Sequence, residues 1–167
     1  MQTSHTEFGS IEHYRKGGVE VIDDRAKDYA FSNVFDVAAR SKPYERVAVA
    51  QNLKYVLEAV RAEGASPWFA NAHDEAALVM DGEILVHYIK PNVPPVPPDT
   101  EGAVRLGDTA PAGRRMGWIR ARRGHMVLLP AGAAYRFEAG SRAGALLIQT
   151  IKGSETIERW AEICQVA

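Results

Sequence analysis

Within the segment 66–82, SPWFANAHDEAALVMDG, His73, Asp74 and Glu75 are the side chains whose types could do chemistry. An imidazole and a carboxylate two residues apart on a strand point to the same face, so His73 and Glu75 offer two of the donor types that bind iron or zinc. A site needs further ligands, and His87 and His125 are the nearby candidates. Asp81-Gly82 is the dipeptide best suited to a two-residue type I′ turn, and its apolar flanks predict a β-hairpin. Pairing across that turn sets Ala76 opposite His87 and Glu75 opposite Tyr88, which turns His87 away from Glu75. His125, beside Gly124, reads equally well as a solvated edge histidine. A buried Glu75 without a metal needs a donor or a counter-charge, for which Tyr88, Tyr135 and Arg136 are the candidates. A structural polar contact is then the preferred role for Glu75 over catalysis.

The elements that must hold these residues are mostly strands. Residues 45–50 alternate Val47 and Val49 with smaller or charged neighbours, as a half-buried strand does. Residues 53–61 fit a helical stripe and a strand face equally. Residues 116–121, 125–129 and 135–137 are further strands, and 145–151 is apolar enough to be buried on both faces. Five prolines between Pro91 and Pro98 exclude a central strand there and predict a stiff surface loop over 91–115. At the C-terminus Ile157, Trp160, Ala161 and Cys164 share one face of a helix, with Ser154 or Thr156 as cap and Glu155–Arg159 as an i,i+4 pair. Residues 28–40 fit a helix and an irregular segment equally.

The chain of 167 residues has 46% hydrophobic residues, enough for one core. A formal net charge of −1 gives no electrostatic case for nucleic acid or an anionic membrane as main partner. One cysteine, Cys164, and an N-terminus without an apolar stretch favour a reducing, cytoplasmic setting. Cys164 reads as a buried helix residue. Arg114-Arg115, Arg120 and Arg122-Arg123, interleaved with Trp118, form a local basic patch that suits an acidic partner surface or a substrate anion. Simple solvation explains such charges too.

Two segments resemble the cupin superfamily. Its first motif runs G, five residues, HxH, three or four residues, E, six residues, G; its second runs G, five residues, PxG, two residues, H. Glu75 precedes Gly82 by the first motif's interval, and Gly124, Pro130, Gly132 and Tyr135 follow the second until its last position. Where HxH should stand is Trp68-Phe69-Ala70-Asn71-Ala72, and Tyr135 replaces the final histidine. Of the four ligands the resemblance implies, only Glu75 remains. The implied fold is all-β, a cupin-like barrel of the jelly-roll type: an N-terminal arm over 1–44, a barrel over 45–152 with the Pro-rich loop 91–115, and a C-terminal helix over 153–167.

From about Val19 onward the chain also resembles the small subunit of the two-component, iron(II)-dependent hydroquinone 1,2-dioxygenases. The segments that carry this are DYAFSNVFDVAARSKPYERVAVAQNL, VLEAVRAEGASPWFANAHDEAALVMDGEI, RRGHMVLLPAGAAYRF and LLIQTIKG followed by ERWAEIC. The resemblance implies a larger cupin subunit that holds Fe(II), a heterotetramer, and ring cleavage of a para-diphenol with O2 to a 4-hydroxymuconic semialdehyde. This chain would hold no metal and no catalytic residue. Trp68 and Phe69 are the candidates for walling the substrate pocket, and His73, Glu75 and Tyr135 are expected as polar anchors of the barrel. The competing expectation is a free-standing, metal-free cupin that binds or senses a small molecule through Glu75 and Tyr135.

Overall fold

The computed structural model of the chain describes residues 9–14 and 32–163. Most of the expected N-terminal arm, including the run 19–22, lies outside them, as does Cys164. Asn33 starts helix α1 (Val34–Arg40): its side-chain oxygen accepts from the backbone N–H of Phe35 at 3.0 Å and of Asp36 at 3.2 Å. The strands follow as β1 (Arg46–Asn52), β2 (Tyr55–Ala62), β3 (Trp68–Asn71), β4 (Glu75–Asp81) and β5 (Glu83–Pro91). After them come β6 (Ala103–Gly107), β7 (Gly113–Arg122), β8 (Met126–Leu129), β9 (Ala134–Ala139), β10 (Gly144–Ile151), β11 (Thr156–Ile157) and helix α2 (Trp160–Ile163).

The strands make two sheets, in the orders β11-β1-β2-β10-β4-β8 and β6-β3-β9-β5-β7. Their inner faces meet in one core that includes Val60, Val79, Val86, Phe69, Tyr135, Phe137 and Leu146. This is the all-β barrel expected; of the segment 53–61, residues 55–61 lie in strand β2, while Leu53 sits in the turn before it with φ +55°.

Several expectations are corrected. The hairpin across Asp81-Gly82 does not form: β4 pairs with β10 and β8, while β5 pairs with β7 and β9 in the other sheet. Only Gly82 has positive φ there, +82°, whereas a type I′ turn needs it at both positions. A corner forms instead, pinned by Arg142, which donates to both Asp81 carboxylate oxygens at 2.8 and 2.9 Å. A Cβ on Gly82 would lie 2.9 Å from the Gly144 Cα, so the corner also requires glycine on packing grounds.

The Pro-rich loop is shorter than expected, because β6 forms within 91–115 and β7 begins at Gly113. Proline's veto on central strands is respected, since β6 starts after Pro98 and lies at a sheet edge.

At the C-terminus Thr156 and Ile157 do not open a helix. They pair in parallel with Arg46 and Val47, and helix begins only at Trp160. The Glu155–Arg159 pair gives way to Arg105–Glu155 at 3.2 Å and Arg159–Glu45 at 3.5 Å.

Both helices cover the outer face of the first sheet, where Val47, Val49 and Ala59 pack with Val37 and Ile163. Strand β1 is therefore buried on both faces at its start, not half-buried. Its valines face the helices, and the alternate position, Arg46, faces the barrel interior.

Candidate functional site

Strand alternation delivers five polar side chains to one end of the barrel interior: Arg46, Glu58, Glu75, Tyr135 and Thr150, all buried. Arg46 is the hub. Its Nε donates to Glu58 at 2.5 Å, its Nη1 to the Tyr135 hydroxyl at 3.0 Å and its Nη2 to Glu75 at 3.2 Å. The Tyr135 hydroxyl donates to the other Glu75 oxygen at 2.6 Å, and Thr150 donates to the first. Thr156 donates to the second oxygen of Glu58 at 2.7 Å. Every carboxylate oxygen in the cluster thus has a donor, the condition under which buried charges are tolerated. Phe69 lies beneath, its ring stacked on Tyr135 at 6.0 Å and 5.8 Å from the Arg46 guanidinium.

The electrostatics follow from this packing. Burial works to lower the Arg46 pKa, but the charges of Glu75 and Glu58, with the hydrogen bond to Glu58, outweigh it and hold the guanidinium well above its ordinary value. Burial, assisted by Glu75 against the opposing pull of Arg46, pushes Tyr135 well up, so it remains a protonated donor.

The expected anchors are distributed as follows. Glu75 and Tyr135 meet directly. His73 stands beside them, its Nε2 3.2 Å from the Thr150 hydroxyl and 3.9 Å from Glu75, and lines a cleft of about 320 Å3. His87 faces outward, as expected, against Glu138 at 3.0 Å. The ring of His125 accepts the backbone N–H of Arg122 at 3.0 Å, which is a turn contact. Arg136 does not supply the counter-charge to Glu75; Arg46 does. Arg46 and Glu58 were missed. The signal for both was a charged residue inside an otherwise apolar strand, RVAVA and YVLEAV, with opposite signs on consecutive segments.

Trp68 and Phe69 part company. Phe69 points inward, whereas Trp68 faces out of the second sheet with Ile89, Ala134 and Leu106. There it lines a cavity of about 350 Å3 together with His87, Arg115, Trp118 and Arg136. Trp68 is 6% exposed, yet among the described residues its indole N–H has no acceptor, and neither does the Nε of Arg136. Buried donors of this kind are normally satisfied. Among the described residues no group of three or more His, Cys, Asp or Glu side chains is placed to hold a metal ion.

This chain is similar to a chain of the crystal structure of hydroquinone 1,2-dioxygenase from Sphingomonas sp. TTNP3 with 4-hydroxybenzoate bound. The two share 56% identity over 98% of this chain and 99% of that one, with a TM-score of 0.93. The chain belongs to the hydroquinone 1,2-dioxygenase family. A second member, the hydroquinone 1,2-dioxygenase PnpCD in complex with Cd2+ and 4-hydroxybenzonitrile, matches at 54% identity over 97% of both chains, TM-score 0.89.

A structure of the TTNP3 dioxygenase in complex with 4-nitrophenol is matched differently. There 84% of this chain covers only 38% of a longer chain, at 16% identity and a TM-score of 0.59. That likeness is one of fold alone. A cupin-2 domain protein from Shewanella frigidimarina shares the fold at 17% identity and a TM-score of 0.50, over 70% of this chain and 89% of that one. No family model matches the chain, and no curated protein does.

No helix among the described residues is long and apolar enough to cross a membrane.

Proposed function

We propose that this chain is the non-catalytic small subunit of a heteromeric, iron(II)-dependent hydroquinone 1,2-dioxygenase. Iron, substrate and O2 meet on a longer cupin subunit, and the complex opens a para-diphenol ring beside one hydroxyl to give a 4-hydroxymuconic semialdehyde. The observation that carries this reading is Arg46. In the barrel of a family named for oxygen chemistry, a guanidinium donates both to the surviving motif carboxylate, Glu75, and to Tyr135 at the last motif position. The residues present do not fit an iron ion: the carboxylates already share a fixed cation, and a protonated phenol stands where the motif has an imidazole. Iron supplies substrate and oxygen activation in the partner, and this chain lends structure.

One side chain is placed to lend more. In this reading Trp68, which lines the outer cavity and whose buried indole N–H has no acceptor among the described residues, donates to an oxygen atom of substrate held against this face in the complex. Phe69 is a core residue and has no part in that wall. The free-standing binding module is disfavoured because its two anchors, Glu75 and Tyr135, are already occupied by Arg46 and by each other.

Mixing the chain with the longer subunit tests the assignment. Neither chain alone should open hydroquinone, and the mixture should. Trp68→Phe in the complex should raise KM for hydroquinone by about tenfold, the cost of one lost hydrogen bond of roughly 1.4 kcal/mol. Unchanged KM and kcat would remove Trp68 from the substrate wall, and ring cleavage by the isolated chain would overturn the subunit role.

A further inference from the structure

Resting on that reading, we infer that the flank formed by β7 and β8 is the docking surface for the longer subunit, and that it takes an acidic, extended segment along the free edge of β7. Strand β7 ends the second sheet and β8 ends the first, joined through 123–125. Of the eight large hydrophobic residues exposed among the described residues, five lie on these two strands: Met116, Trp118, Ile119, Met126 and Leu128. Nine of the ten β7 residues are exposed, all but Ala121. Ile119 pairs with Val86, which is fully buried in the core, yet is itself 43% exposed. The space between the sheets is therefore open along this seam, and a docked chain would close it. Edge strands left to solvent are usually short or blunted; this one carries arginines and a bulge opposite Tyr88 and Ile89, yet it is ten residues long and also exposes apolar side chains.

Charge chooses the occupant. Strand β7 carries four arginines and no acid, and β8 has no charge. Arg120 and Arg122 share Glu83, at 3.6 and 2.7 Å, whereas Arg114 and Arg115 have no carboxylate within ion-pair distance among the described residues. A second copy does not suit this edge. Two-fold pairing about Gly117 and Trp118 would set Arg115 opposite Arg120 of the other chain, and like charges directly opposed are destabilising. A partner strand bearing Asp or Glu answers both the unpaired backbone edge and the unpaired guanidinium groups. Arg115 and Trp118 also line the outer cavity, so a subunit docked on β7 comes to rest beside Trp68.

Hydrogen exchange and titration of the purified longer subunit against this chain test the assignment. Exchange at the β7 amides should slow on complex formation. Arg114→Glu together with Arg115→Glu should weaken binding at least tenfold, with the wild-type affinity falling as salt rises, while the variant chain alone keeps the wild-type Tm. Lys54→Glu, on the β1–β2 turn, should bind as wild type. A complex that forms with β7 exchange unchanged and the double variant fully competent overturns this surface and leaves the subunit role standing. So does protection of β7 by self-association of the isolated chain. Failure of the wild-type chain to bind the longer subunit overturns both.

Discussion

The molecule holds arginines in two opposite circumstances. Arg46 is buried in the barrel, donates to three partners and sits between two carboxylates; Arg114 and Arg115 stand on an exposed edge with no carboxylate in reach among the described residues. The difference separates a charge that holds the chain together from charges available to another chain. A buried ion cluster contributes through completeness, since removing one member strands the rest, whereas exposed charges contribute little to folding.

Arg46→Met should break this contrast most severely. Stranding Glu58 and Glu75 in the barrel should cost about 3–5 kcal/mol, seen as a Tm lower by roughly 10 °C or more. Arg115→Met should leave stability within about 0.5 kcal/mol. If both behave alike in thermal unfolding, the distinction fails. Tyr135→Phe is intermediate: it deletes the hydroxyl bonded to Arg46 and Glu75 and should cost about 1–3 kcal/mol by urea unfolding.

Asp81 offers a pH test of a second arginine-bound carboxylate. Burial works to raise its pKa, but hydrogen bonds from Arg142 and the backbone of Gly82, with the Arg142 charge, hold it below the ordinary carboxylate value. A lowered folded pKa means the folded state binds fewer protons. This stabilisation is complete above the unfolded pKa and is lost as pH falls through the folded one. Asp81→Asn should therefore flatten the acid limb of the stability profile, and an unchanged limb would show that Arg142 does not govern it. Arg46, with its pKa well above the neutral range, should give no pH dependence between pH 6 and 9.

Much of this was legible in the residues. The cupin resemblance, carried by the spacing of Gly82, Gly124, Pro130 and Gly132, pointed to Glu75, Tyr135 and an all-β barrel, and the run of short apolar strands agreed with it. The Arg46 hub was not legible. The valine alternation marks a buried face of β1, but which side that face meets depends on α1 and α2 covering the sheet from outside. That is a long-range fact, and it turned the valines outward and the arginine in. The Asp81-Gly82 corner failed for a similar reason: a dipeptide suited to a hairpin was overridden by the pull of β4 toward β10. Trp68 and Phe69 were singled out together, and only the strand's two-residue period, once its sheet was placed, put them on opposite faces.

The central proposal is that this barrel holds a guanidinium where the cupin motif would hold a metal, and that a partner subunit supplies the iron. Iron analysis of the isolated chain and of the purified two-subunit complex tests it most directly. The account predicts no stoichiometric iron in the isolated chain and one iron per pair of chains in the complex. Stoichiometric iron bound by the isolated chain would contradict it.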